Sequence, residues 1–106
     1  MDPNPAILQE LKVSLRMLLG DQLVSMVLFG SLARGDHNDD SDIDVAVIVR
    51  GLNRKLKNQI LDEVAELELV HHRPLSVFVI SEEEFNHLRN RERRIALDID
   101  RDGIPL

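Results

Sequence analysis

Five aspartates fall within nine residues, Asp36 to Asp44, in the stretch FGSLARGDHNDDSDIDVAVIV, and the apolar run VAVIV follows at once. Carboxylates that close repel one another, and a divalent cation is one group that offsets the repulsion. Asp42 and Asp44 stand two apart at the head of a predicted strand. Side chains alternate across a strand, so both carboxylates project from one face. A rigid pair of this kind suits a hard ion such as Mg²⁺, which takes oxygen ligands and usually keeps waters and substrate phosphates as well. Two such ions flank a phosphorus and stabilise both its attacking and its leaving oxygens. Upstream, Gly30 lets the backbone approach a ligand closely. If SLARG opens a helical turn, its free N–H groups point towards an anion, with a hydroxyl from Ser31 and a guanidinium from Arg34 beside them.

Taken singly, each of these features has a plainer explanation. Asp and Asn favour solvated turns, and most of the five aspartates are expected to form one. Gly-Ser ends many strands, and a lone arginine is more often a surface charge than a ligand. A calcium loop counted from Asp36 fails, because Ser41 and Val47 stand where it requires glycine and glutamate. The combination is far more specific: strand, Gly30-Ser31, ten residues, Asp42-x-Asp44, strand.

The elements that must position these groups are legible from periodicity. Asn4 as cap and Pro5 at the first helical position open a helix carrying Ile7, Leu11, Leu15 and Leu18 on one face, which Gly20 ends. LVSMVLF, residues 23–29, and DIDVAVIVR, residues 42–50, read as strands. The second is apolar on both faces beyond Asp44, which predicts a central strand covered on both sides. A second helix follows Gly51 and Asn53, with Leu56, Ile60, Val64 and Leu67 inward. LSVFVI, residues 75–80, predicts a third strand after Pro74. Ser81 with Glu84 fits a capping box and Ile80 with Phe85 a hydrophobic staple. The last helix carries Phe85, Leu88, Ile95 and Ile99, with a break near Asn90. Met17 and Met26 are expected in the core. The order predicts an α/β (α+β) domain over residues 1–106, a small mixed sheet of three or more strands with helices packed on it.

Bulk properties narrow the function. Hydrophobic residues make up 43% of the 106 residues and charged residues 30%, a globular balance. A net charge of −6 argues against direct DNA or RNA binding, which wants a basic face. It leaves room for a nucleotide, because metal ions bridge acidic protein to phosphate. The absence of cysteine excludes thiolate metal sites and disulfides. No apolar stretch reaches membrane length and MDPNPAILQE has no leader pattern, so the expectation is cytoplasmic and not membrane-bound.

GSLARGDHNDDSDID resembles the G-S-x10-D-x-D element of the DNA polymerase β nucleotidyltransferase superfamily, and its GSxARG start and SDID end look like the minimal nucleotidyltransferase group. The resemblance implies the polymerase-β-like nucleotidyltransferase fold. It implies transfer of a nucleoside monophosphate, AMP from ATP in the first instance, to an acceptor hydroxyl with release of pyrophosphate. By position, Gly30 and Ser31 would hold the triphosphate of ATP or another NTP, with Arg34 a further phosphate contact. Asp42 and Asp44 would be catalytic as ligands of two Mg²⁺ ions. Many minimal members are antitoxins paired with a HEPN-domain toxin RNase, and some transfer AMP to a tyrosine of that toxin. A HEPN partner, and homo- or hetero-oligomerisation, follow as expectations.

Active members usually carry a third carboxylate on the next strand, and the aligned position here is Ser76. Glu66 and Glu68 on the second helix read better as a solvated face, and Glu82, Glu83 and Glu84 as first-turn acids favoured by the helix dipole. Two alternatives to an active transferase therefore stand: a chain of the same fold that neutralises a toxin by binding, and a nucleotide-binding module. His71 and His72 are expected to interact with a helix C-terminus, and RNRERR, residues 89–94, to form one solvated helix side or else a partner-binding patch.

Overall fold

Apolar side chains at helical spacing bring the first helix, α1 (Ala6–Leu19), onto the sheet: Ile7, Leu8, Leu11, Leu15 and Leu19 are all buried. In the computed structural model the described residues are 6–30 and 43–106, with Asp102 described by its backbone alone. The proposed caps Asn4 and Pro5 lie outside them. Gly20 ends α1 at φ +54°, a left-handed conformation glycine adopts without strain. A 3-10 turn at Gly20–Gln22 leads into β1 (Leu23–Phe29).

The remaining elements are β2 (Ile43–Val49), α2 (Arg54–His71), β3 (Leu75–Ser81), α3 (Glu82–Asn90), α4 (Arg94–Asp102) and β4 (Ile104–Pro105). They form a four-stranded mixed sheet in the order β3-β2-β1-β4. β2 runs parallel to β3 and antiparallel to β1, and β4 adds antiparallel to β1. The parallel pair is joined through α2, as such a crossover requires.

β2 sits between two layers, which is why it is apolar on both faces. Ile43, Val45, Val47 and Val49 belong to the core under α1 and α2, with Leu11, Leu15, Ile60 and Val64. Ala46 and Ile48 face the other way, into a core completed by Ile80, Phe85, Ala96 and Ile99 under α3 and α4. Full burial of a leucine such as Leu11 is worth roughly 1.5–3 kcal/mol. By the alternation of a strand, Asp44 belongs to the second face, two residues before Ala46.

The caps follow the sequence. Leu56 N donates to Asn53 Oδ1 at 2.8 Å at the start of α2. Asn53→Ala is expected to lower stability by about 1 kcal/mol, read as a shifted urea midpoint at constant slope. Glu84 N donates to Ser81 Oγ at 3.1 Å, and Ile80 and Phe85 share one core, so cap and staple both form. α2 ends with His72 in the left-handed region at φ +52°. Glu68 Oε2 then accepts from Leu75 N at 3.1 Å and ties the helix to the start of β3.

Four details differ from the sequence reading. Met17 is 84% exposed, whereas Met26 is buried as expected; Met17 lies on the outer side of α1, away from the Leu11–Leu15 stripe. Ile95 is partly exposed and Ala96 takes the buried position with Ile99. RNRERR is not one helix side, because the break between α3 and α4 falls inside it. Arg89, still exposed, reaches across to α4: its Nε and Nη2 donate to Asp100 at 2.7 and 2.9 Å, and its guanidinium lies 4.7 Å from the Phe85 ring centroid. The hydrogen bond to Asp100 raises the arginine above its ordinary value, against a smaller lowering by burial. β4 was not anticipated. His71, in the last turn of α2, pairs with Glu10 of α1.

Candidate functional site

One end of the sheet collects the residues that could do chemistry. β1 finishes there, and β2 and β3 both start there. Register places Phe29 of β1 opposite Asp44 of β2, and Asp44 opposite Ser76 of β3. Residues directly opposite one another share a face, so Phe29, Asp44 and Ser76 form one row across three strands. Behind that row lie Val27, Ala46 and Phe78, which belong to the core under α3 and α4. Asp44 is half-buried and Ser76 exposed. The carboxylate thus stands where the apolar face gives way to solvent, on a strand held by neighbours on both sides.

Gly30 follows Phe29 with φ +77°, in the region that favours glycine. A Cβ built there would overlap Asp44 Oδ2 and lie 3.0 Å from its Cγ and 3.2 Å from its Cβ. The glycine corner and the carboxylate therefore touch across the β1–β2 pair. Two independent constraints, backbone conformation and space over the carboxylate, both demand glycine at this position.

Of the five residues assigned roles from sequence, Gly30 and Asp44 are brought together here. Ser31, Arg34 and Asp42 lie outside the described residues. Ser76, aligned with the missing third carboxylate, stands on the same row as Asp44 and one strand away. Glu68 is engaged with Leu75 N, and Glu66 lines a groove between α1 and α2, on the face away from Asp44. Glu82, Glu83 and Glu84 form the first turn of α3, at the far end of β3 from Ser76. Among the described residues no group of three or more His, Cys, Asp or Glu side chains could hold a metal ion. Carboxylate oxygen at the head of a fixed strand is the donor that hard cations prefer, so Asp44 fits Mg²⁺, and the neutral Ser76 hydroxyl leaves that row with one anionic donor.

Sequence reasoning passed over Arg73, in the connection from α2 to β3 at this same end. Its Nε is buried with no hydrogen-bond partner among the described residues. A buried unsatisfied donor of this type costs about 1–3 kcal/mol. An arginine between His72 and Pro74 carries no pattern that would have marked it.

Comparison with known proteins gives a consistent result. The sequence profile of the nucleotidyltransferase domain matches residues 8–99. Two proteins of Methanocaldococcus jannaschii, each named putative protein adenylyltransferase, are similar to the chain. One is 36% identical over 59 residues, covering 56% of this chain and 60% of the relative. The other is 32% identical over 73 residues, covering 67% of this chain and 49% of the relative. The chain thus spans between about half and three fifths of these relatives. Among solved structures, a crystal structure of a toxin–antitoxin with AMP-PNP superposes with a TM-score of 0.61 at 20% identity, over 92% of this chain and 69% of that one, which shows the fold. Among the described residues no helix is long and apolar enough to cross a membrane.

Proposed function

The chain belongs to the nucleotidyltransferase domain family, and on that premise we propose that it transfers AMP from ATP to a hydroxyl of a partner protein. The partner is a HEPN-type toxin, this chain is its antitoxin, and the reaction takes place in the cytoplasm. The names of the curated relatives, protein adenylyltransferases, support the reaction class. The observation that carries the reading is the contact of Gly30 with Asp44, which puts a glycine corner suited to phosphate beside a carboxylate suited to a cation.

In this reading Gly30, Ser31 and Arg34 hold the triphosphate, and Asp42 and Asp44 hold Mg²⁺. The ion, when bound, supplies charge neutralisation on the phosphates and polarises the phosphorus. The chain's own part is to fix the nucleotide so that an acceptor oxygen reaches the α-phosphorus in line with the departing pyrophosphate. Register with β1 and β3 fixes the backbone position of Asp44 at the head of β2. Phe29 in the row and Phe78 behind it, both half-buried, exclude water from its inner side.

A second reading has a specific observation behind it. Ser76 stands opposite Asp44 where active relatives usually carry an acid, so neutralisation by binding alone, without transfer, is the alternative. Incubation with labelled ATP, Mg²⁺ and the toxin separates the two. Transfer is expected to label the toxin, and Ser76→Asp is expected to raise the rate about a hundredfold, about 2.7 kcal/mol in barrier. Ser76 is exposed, so the added carboxylate meets no steric barrier. No label from either protein, with the toxin still bound and silenced, would leave sequestration as the function.

A further inference from the structure

Helices α1 and α2 cover the sheet face opposite Asp44, and between their outer sides runs a groove of about 470 Å³. Its floor is apolar: Val13 of α1 with Leu67 and Val70 of α2. Val13 is 57% exposed and Val70 64%, and Met17, one turn beyond Val13, is 84% exposed. Single exposed apolar residues are ordinary, but a continuous strip between two helices is a feature of interaction surfaces. Glu10, Glu63 and Glu66 flank the strip. Glu10 pairs with His71 at one end. Glu63 and Glu66 have no ion pair with any described residue.

We propose that this groove docks a cationic amphipathic helix of a partner protein. The apolar side of that helix lies on Val13, Leu67 and Val70, and its lysines or arginines meet Glu63 and Glu66. Charge selects this occupant. A second copy of the chain related by a two-fold axis would bring like glutamates face to face. An anionic lipid surface would be repelled by the same carboxylates. A helix with apolar residues at i, i+3, i+4 and i+7 and basic residues on its flanks matches both floor and rim. Because the groove and Asp44 lie on opposite faces of the sheet, an occupied groove leaves the nucleotide end open. The inference stands independently of the transfer reading.

The probe is a synthetic helical peptide of about 18 residues, about five turns, with leucines on one face and lysines on its flanks. One control peptide scrambles the same composition, and another replaces lysine by glutamate. Fluorescence anisotropy against the full chain is expected to show the patterned cationic peptide binding at least about tenfold tighter than either control. Val70→Asn and Glu66→Lys are each expected to weaken it by about tenfold, with unchanged melting, since both side chains are exposed. Asp44→Asn should bind the peptide as the wild type does, so failure of this proposal and failure of the transfer reading are read separately. Equal binding of the scrambled peptide, or indifference to the groove variants, would overturn it. So would self-association in sedimentation that Val70→Asn abolishes, or co-sedimentation with anionic vesicles.

Discussion

Asp44→Asn is expected to lower nucleotide transfer by about a thousandfold or more, equivalent to about 4 kcal/mol in the barrier. The amide keeps the shape of the carboxylate and one acceptor oxygen, so the β1–β2 register is retained, but the charge is lost. Asp44 is one of two acids proposed to hold the metal, and its row offers no anionic substitute because Ser76 stands opposite it. The remaining acid, Asp42, would then face the cation alone. The measurement is the initial rate of label transfer from ATP at saturating Mg²⁺, with far-ultraviolet circular dichroism as the check on folding. A rate within about threefold of wild type would remove Asp44 from the machinery.

The second large effect falls on Gly30. Its φ of +77° is costly for any residue with a Cβ, about 1–2 kcal/mol. The added atoms would also run into the Asp44 carboxylate, which adds an overpacking term of about 1–3 kcal/mol. Gly30→Val is therefore expected to destabilise the chain by about 3 kcal/mol or more and to displace the carboxylate, so that nucleotide binding falls with stability. Gly20 supplies the internal control. It also has positive φ, +54°, but nothing lies within 4 Å of a Cβ built there. Gly20→Ala should cost only the conformational part, about 1 kcal/mol, and leave nucleotide binding unchanged. Equal costs at the two glycines, read from urea unfolding, would mean that the space above Asp44 is not constrained.

Much of this architecture was legible from local patterns that agree with tertiary packing. The interior position of β2 could be read because VAVIV is apolar on both faces, and only a strand covered on both sides needs that. The starts of α2 and α3 could be read because Asn53 and Ser81 make the side-chain hydrogen bonds their positions imply. Register sets Ser76 of β3 directly opposite Asp44 of β2. What stayed hidden depends on distance in sequence. β4 is two residues, one of them a proline without an N–H, and exists only because β1 offers an open edge. Met17 fits the hydrophobic period of α1 loosely and falls outside the buried stripe, which hydropathy cannot distinguish. Glu63 and Glu66 read as an ordinary solvated face. Their meaning appears once α1 is seen beside α2 and the apolar strip between them is left uncovered.

Stability and the proposed function meet at one corner: Gly30 holds the end of β1 at φ +77° without strain and leaves room for the Asp44 carboxylate.

Calorimetric titration of the chain with a non-hydrolysable ATP analogue, with and without Mg²⁺, tests the nucleotide site most directly. The expected result is saturable binding that requires Mg²⁺ and is lost in Asp44→Asn while Ser76→Asp tightens it. Binding that is absent in the wild type, or that persists unchanged without Mg²⁺ and in Asp44→Asn, would contradict a cation-bridged nucleotide site at the Gly30–Asp44 corner.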